Sequence, residues 1–213
     1  DGCLVSENWT AANGLRGRSI NAYDADLRQW HQTWVSSIPG GNLRMGGGLE
    51  ADTMVLRGKR VTATGVELFD EYRWHVLSTG QVVQRWKLDI PATDQHFAGA
   101  LTYTLTDTLA PPAEVQTANC RAGGPAQNAR QIDFFLGTWT VSAERGPALG
   151  TASITSDLSG CLTEENYATD KGYAATSFFY WDPIARSWWR TYVDSEGERI
   201  ELRGGLVVGR LVL

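Results

Sequence analysis

The sequence predicts an all-β protein built from antiparallel barrel-type units. Its 213 residues include nine tryptophans and 23 glycines against only seven prolines. Aromatic residues favour strands, and frequent glycines favour tight turns. Short alternating runs of apolar and polar residues, separated by turn signals and without a helical period, indicate a sandwich or barrel. An internal repeat then predicts how the strands are organised.

The repeat relates the two ends of the chain. Gly2-Cys3-Leu4 aligns with Gly160-Cys161-Leu162, and the same offset aligns Glu7-Asn8 with Glu165-Asn166. It also aligns further identical pairs: Gly14 with Gly172, Ser19 with Ser177, Asp24 with Asp182, Arg28 with Arg186, Trp30 with Trp188, and Thr33 with Thr191. We therefore expect two copies of one unit.

Each copy begins with strands joined by short turns. In the first copy the predicted strands are Ser19 to Tyr23, Trp30 to Ser36 and Leu43 to Gly47, with an Asp-initiated turn and a Gly-containing loop between them. The matching runs in the second copy are Thr176 to Trp181, Trp188 to Asp194 and Ile200 to Gly204. Later runs of the first copy are Thr53 to Leu56, Val66 to Leu77, Val82 to Ile90 and Leu101 to Leu105.

The domain prediction is a first unit at residues 1–108, a linker at 109–130 and a second unit at 131–213. The linker contains Pro111-Pro112 and Gly123-Gly124-Pro125, which favour an extended path. The first unit lacks opening strands and the second lacks closing strands. The chain is therefore either two incomplete copies from a longer tandem protein or one composite barrel. Open sheet edges would also permit self-association.

Composition and motifs exclude several classes of function. A net charge of −5 and a pI near 5.2 argue against nucleic acid as a partner. No apolar run approaches the roughly 20 residues of a membrane span. The three cysteines lack metal spacing, and we expect Cys3 and Cys161 to be buried, weakly polar side chains. No nucleophile elbow, zinc helix or phosphate loop is present, so we expect no metal or cofactor, and the compartment stays open.

Four segments resemble a large, functionally uncharacterised bacterial family whose domains open with an F-D-F-W-x-G-x-W-like strand. The segments are Asp133 to Val141, Gly160 to Glu165, Ser177 to Asp182 and Trp188 to Asp194, and Ile132 stands where the family often has Phe. Such domains are similar to calycin barrels, which include lipocalins, fatty-acid-binding proteins and haem-binding nitrobindin. The resemblance implies a ligand-holding barrel whose bottom is closed by Gly137-Thr138-Trp139. The histidine that holds haem in nitrobindin-like proteins has no match here.

An acid lies on a mostly apolar strand face in both copies. Strand alternation places Glu7 with Val5 and Trp9, and Glu165 with Thr163 and Tyr167. A buried carboxylate has a raised pKa unless it is paired. Glu7 and Glu165 are therefore candidates for acid or base catalysis, with Trp9 and Tyr167 in the pocket. The structural alternative is an ion pair with Arg28 or Arg186.

Two further faces are candidates for ligand binding. Trp30, Gln32 and Trp34 share one strand face, and Trp188, Arg190 and Tyr192 share the matching one. Such faces either fill a core or line a cavity for a flat apolar ligand. In the first copy His75 and Arg85 belong to a face that we expect to be solvated, with Trp86 on the opposite face. If His75 and Arg85 pointed inward instead, they would anchor an anion.

The leading functional hypothesis is a binding module with an aromatic-lined barrel interior for a small apolar or amphipathic molecule. The first alternative is an enzyme, a hydrolase, isomerase or lyase, that uses a buried glutamate as acid or base in the same cavity, with Asn8 or the candidate ligand-binding residue Arg28 as an orienting group. The second alternative is a structural barrel filled by its own tryptophans. A cavity of a few hundred Å³ would argue against the structural barrel. A perturbed glutamate pKa inside that cavity would favour the enzyme.

Overall fold

The computed structural model describes residues 4–62, 64–105, 124–143, 146–208 and 210–213, which form two strongly curled antiparallel sheets. The all-β prediction is confirmed. Strands follow one another in chain order within each sheet, and no described strand of one sheet pairs with the other. The two sheets are thus two incomplete barrel units and do not combine into one composite barrel.

The first sheet has eight strands: β1 (Leu4–Thr10), β2 (Arg16–Asp24), β3 (Gln29–Ser36), β4 (Leu43–Glu50), β5 (Thr53–Val61), β6 (Glu67–Val76), β7 (Val82–Ile90) and β8 (Gln95–Tyr103). The second has seven: β9 (Gly137–Ser142), β10 (Ala148–Asp157), β11 (Leu162–Ala168), β12 (Ala174–Asp182), β13 (Ser187–Asp194), β14 (Arg199–Val207) and β15 (Arg210–Val212). Short 3-10 helices cover Pro91–Thr93, Gly124–Phe135 and Leu158–Gly160.

Matching aspartates open the hairpins β2–β3 and β12–β13. The Asp24 carboxylate accepts a hydrogen bond of 2.8 Å from the backbone N–H of Leu27, and Asp182 accepts one of 2.9 Å from Ile184. Each turn ends at an arginine in the left-handed region, with φ of 52° at Arg28 and 49° at Arg186. An Asx-type turn satisfies backbone donors without a helix, which is why these runs fold back as hairpins.

Residues related by the repeat offset occupy matching positions in the two sheets. In the first sheet Ser19 pairs with Glu7 on one side and with Trp34 on the other. In the second sheet Ser177 pairs in the same way with Glu165 and Tyr192. Side chains that the sequence aligned therefore point to equivalent faces of the two sheets.

The two sheets pack against each other through their convex faces. The hydroxyls of Thr33 and Thr191, which the repeat aligns, hydrogen bond at 2.9 Å in the middle of this contact. Apolar side chains of both sheets surround that bond; they include Ile20, Ala22, Val35, Phe178, Tyr180 and Val193. The concave faces consequently point away from the shared core.

One cation in this contact is held by several groups of the other sheet. The Arg44 guanidinium lies 3.5 Å from the centre of the Trp189 ring, donates a hydrogen bond of 2.8 Å to Tyr180 and lies 3.6 Å from Asp182. A charge buried between two sheets is tolerated when it is paired in this way.

The 3-10 helix Gly124–Phe135 covers part of the second concave face. Ile132 is fully buried with Phe179 and Trp188, and the Trp188 indole donates a hydrogen bond of 3.0 Å to Gln131. Residues 109–123 of the predicted linker lie outside the described residues. Residues 124–130, which we expected to be extended, instead belong to this helix because Ala129 contributes to the core.

Trp139, expected to close the barrel bottom, is 44% exposed at the sheet edge, where its indole donates to the Phe135 carbonyl at 2.8 Å. Cys161 is buried as expected but is disulfide-bonded, and Cys3 lies outside the described residues. No helix among the described residues has the length and apolar character needed to cross a membrane.

Candidate functional site

The concave face of the first sheet encloses two adjoining compartments. The larger has a volume of about 440 Å³ and the smaller about 150 Å³. The larger is lined by Val5, Glu7, Asn21, Trp30, Gln32, Met54, Leu56, Trp74, Val82 and Tyr103. The smaller is lined by Glu7, Trp9, Gln32, Trp34, Leu43, Tyr72, Gln84, Trp86, Leu101 and Tyr103. Glu7, Gln32 and Tyr103 border both, so they mark the junction of the compartments.

Strand alternation and two glycines position the aromatic rings. Every second residue of each strand faces the cavity, which places five of the nine tryptophans along its wall. A Cβ at Gly17 would lie 2.0 Å from the Trp34 ring, and one at Gly99 would lie 2.8 Å from Trp86. These two positions must therefore stay without side chains for the indoles to lie flat against the sheet.

Glu7 is the carboxylate of this cavity. Its side chain accepts a hydrogen bond of 3.0 Å from the Ser19 hydroxyl, and Asn21 donates to the same hydroxyl oxygen at 3.0 Å. No lysine or arginine among the described residues forms an ion pair with Glu7. Burial raises the pKa of Glu7, and the Ser19 hydrogen bond offsets only part of that effect.

Two tyrosines facing Glu7 remain protonated. Burial raises the pKa of Tyr72 to about 12 and that of Tyr103 to about 12, and the negative charge of Glu7 adds to both effects. The Tyr103 hydroxyl donates a hydrogen bond of 2.9 Å to Gln84. The polar groups around the carboxylate are thus neutral amides and hydroxyls.

The equivalent carboxylate of the second sheet is paired. The Glu165 side chain lies 3.0 Å from the Arg190 guanidinium, which also donates to the Ser177 hydroxyl at 3.0 Å. The Arg190 guanidinium lies 5.1 Å from the centre of the Phe179 ring. This pair borders a cavity of about 560 Å³ lined by Ile132, Phe134, Phe135, Glu165, Phe179, Arg190, Leu202, Arg210, Leu211 and Leu213.

The structure brings most of the predicted aromatic residues of the first unit together. Trp9, Trp30, Trp34 and Trp86 line the first cavity with Glu7. In the second unit only Glu165 and Arg190 border the cavity, because Trp188 is 1% exposed beneath the 3-10 helix. Tyr167 packs against Tyr173 at 6.1 Å, and Tyr192 hydrogen bonds with Tyr173 and Asp194, away from that cavity.

Two groups of predicted residues lie elsewhere. Arg28 and Arg186 are exposed at their turns and pair with neither glutamate, so the predicted ion pairs to Glu7 and Glu165 are wrong. His75 and Arg85 lie on the strand faces opposite Trp74 and Trp86, so they border neither compartment. The inward-pointing anion anchor that we considered for them does not form.

The sequence analysis did not select several residues of the wall. These residues are Met54, Leu56, Tyr72, Trp74 and Tyr103. The alternation of β5 to β8 could have identified these residues. Once Trp86 is known to face inward, strand pairing predicts which residues of the neighbouring strands face inward with it.

The described residues contain no cluster of side chains suited to a metal ion, and no histidine lines the two compartments of the first concave face or the cavity of the second. Comparisons of this chain with protein-family models, with curated proteins and with solved structures gave no match. The site is therefore interpreted from its own geometry.

Proposed function

We propose that this protein binds a small apolar or amphipathic molecule in the concave cavity of its first sheet. The observation that carries the proposal is an aromatic wall surrounding open space, with a single acidic side chain at its centre. Ligand sites typically combine mostly apolar walls with a few placed polar groups, in volumes of about 300 to 1,000 Å³. The larger compartment, at about 440 Å³, falls in that range.

Two features support binding over a purely structural barrel. A filled interior would leave no space between its side chains, whereas here five tryptophans border open compartments, even though Trp9 and Trp34 meet edge to face with ring centroids 6.0 Å apart. The resemblance to calycin barrels, taken as an expectation from sequence, points to the same use of a barrel interior.

The second candidate is an enzyme that uses Glu7 as a general acid or base. Its raised pKa favours this reading, since catalytic acids and bases have pKa values shifted toward the working pH. A reaction also needs a second group to accept or stabilise developing charge. Asn21, Gln32 and Tyr103 are the neutral donors nearby that would have to fill that role.

The binding proposal is tested by filling the larger compartment. Val82 borders it, and its neighbour Val83 is on the opposite face of β7. We expect Val82→Trp to abolish ligand-dependent tryptophan fluorescence changes and co-purification of a small molecule in native mass spectrometry, while Val83→Trp retains both. Equal behaviour of the two variants, or no bound molecule with the wild-type protein, would contradict the proposal.

A further inference from the structure

We infer that the first-sheet cavity selects an organic cation, an ammonium group carrying an apolar tail, with Glu7 as its counter-ion. This inference rests on the proposed function and names the class of ligand. It depends on one pair of aligned positions. The second sheet has the cation Arg190 beside its glutamate, whereas the first sheet has the neutral Gln32.

The second sheet shows how this fold neutralises the carboxylate. Glu165 pairs with Arg190 at 3.0 Å, and the guanidinium lies 5.1 Å from the Phe179 ring and 5.2 Å from the Tyr192 ring. A cation at that position thus contacts a carboxylate and two aromatic faces together, which is favourable on both counts.

The first sheet keeps the carboxylate and one of the two rings, since Trp34 is aligned with Tyr192, but it has Asn21 at the position of Phe179 and no cation at the position of Arg190. Gln32 is aligned with Arg190 by the repeat offset, and its amide donates only a long hydrogen bond of 3.5 Å to Ser19. Glu7 is left with the Ser19 hydroxyl as its hydrogen-bond donor. In the described part of the chain, the arginine and lysine side chains that stack on rings do so away from Trp9, Trp30, Trp34, Trp74 and Trp86.

A buried cation on the concave face of the first sheet, Arg60, is already neutralised. Arg60 on β5 forms a two-pronged ion pair with Asp70 on β6, at 2.7 and 2.9 Å, and donates to the Gly40 carbonyl. An anionic ligand would therefore meet Glu7 without a free positive partner, while a cationic ligand would neutralise it. Electron-rich faces of tryptophan add attraction for a cation, most strongly where water is excluded.

The experiment compares three probes of equal chain length with the full-length protein at pH 7.5 and below their micellar concentrations: octyltrimethylammonium, 1-octanol and octanoate. Dissociation constants are measured by calorimetry and tryptophan fluorescence. We expect octyltrimethylammonium to bind at least about tenfold more tightly than octanol, as a carboxylate and an aromatic wall together provide, and octanoate to bind most weakly.

Three variants locate the preference. Glu7→Gln should remove the preference for the cation and keep octanol binding, and Gln32→Arg should do the same by supplying the internal cation found in the second sheet. Glu67→Gln, an exposed carboxylate paired with Lys59 on β5, is the matched control and should bind all probes like the wild type. Circular dichroism and melting curves confirm that each variant is folded.

The two levels of the proposal fail differently. Equal binding of octanol and octyltrimethylammonium, or a preference that survives Glu7→Gln, would overturn the cation inference and leave apolar binding intact. Absence of binding by all three probes would overturn the proposed function itself.

Discussion

The two concave faces of this protein share a glutamate and a serine at matching positions but reach different electrostatic states. Glu7 and Glu165 occupy matching positions, each paired in register with a serine of the next strand. The second sheet neutralises its glutamate with Arg190, whereas the first has Gln32 at the aligned position and leaves Glu7 buried with a raised pKa. One substitution on β3 thus separates a satisfied ion pair from an unneutralised acid.

The two faces also differ in what borders their open space. The second face is partly covered by its own chain, since Ile132 and Phe135 pack onto Phe179, and its cavity of about 560 Å³ lies beside these residues and the Glu165–Arg190 pair. The first face keeps its indoles around open space. A face that retains a buried acid without a counter-ion is less stable than one that pairs it, and such local conflicts are expected where a site serves binding.

The largest effect is expected from breaking the pair in the second sheet. Arg190→Leu would leave Glu165, a largely buried carboxylate, without its cation, and we expect a loss of about 2–3 kcal/mol of unfolding free energy. For a chain of this size that corresponds to a melting temperature lower by roughly 5–10 °C. Gln32→Leu, its counterpart, removes a single weak hydrogen bond and should cost about 1 kcal/mol or less.

Equal losses for these two variants in thermal melts would contradict the comparison. They would mean that Arg190 contributes through its apolar stem and not through its charge.

A second prediction concerns the space that holds the Trp34 indole. The repeat aligns Gly17 with Ala175 and Trp34 with Tyr192. The second sheet therefore has a methyl group where the first has none, and its Tyr192 ring hydrogen bonds with Asp194. Gly17→Ala should displace the Trp34 ring, cost about 1–3 kcal/mol and weaken probe binding. Gly48→Ala is the control, because no atom lies within 4 Å of a Cβ at that position. Tryptophan fluorescence and urea titration measure both changes, and an unaltered Trp34 signal would contradict the prediction.

Much of the fold was predictable because it depends on local signals. Alternation predicted that Glu7 shares a strand face with Trp9 and that Trp30 shares one with Trp34, and the aspartate turns predicted the hairpin ends. The repeat predicted two copies of one unit, and residues that it aligns occupy matching register positions in the two sheets. Self-association through open edges stays a prediction.

The partners of the two glutamates could not be predicted from sequence. Arg28 was a reasonable partner by proximity along the chain, but its side chain points outward from a turn with positive φ. The true partner of Glu165, Arg190, lies two strands away on β13, and its selection over Arg186 depends on how β11, β12 and β13 pair in register. Long-range register and curl decide that, and neither leaves a local sequence signal.

The smallest expected effect concerns whether the ionised glutamate of each sheet stabilises or destabilises the folded protein. Because burial raises the pKa of Glu7 above its unfolded value, ionised Glu7 weakens the folded state. Protonated Glu7 therefore favours the folded state. This contribution is fully present below the carboxyl pKa of the unfolded chain and is lost as pH rises through the raised pKa of the folded protein. Glu7→Gln should therefore stabilise the protein at pH 7 by on the order of 1 kcal/mol, and this gain should vanish near pH 4.

Glu165→Gln is the matched control and should act in the opposite direction. It removes the charge that holds Arg190, so we expect a loss of about 1 kcal/mol at pH 7. Denaturant titrations at pH 4 and pH 7 measure both variants against the wild type. If Glu7→Gln destabilised the protein at pH 7 as Glu165→Gln does, Glu7 would have an ionic partner after all. The two sheets would then treat their glutamates alike, and no site for a ligand cation would remain in the first.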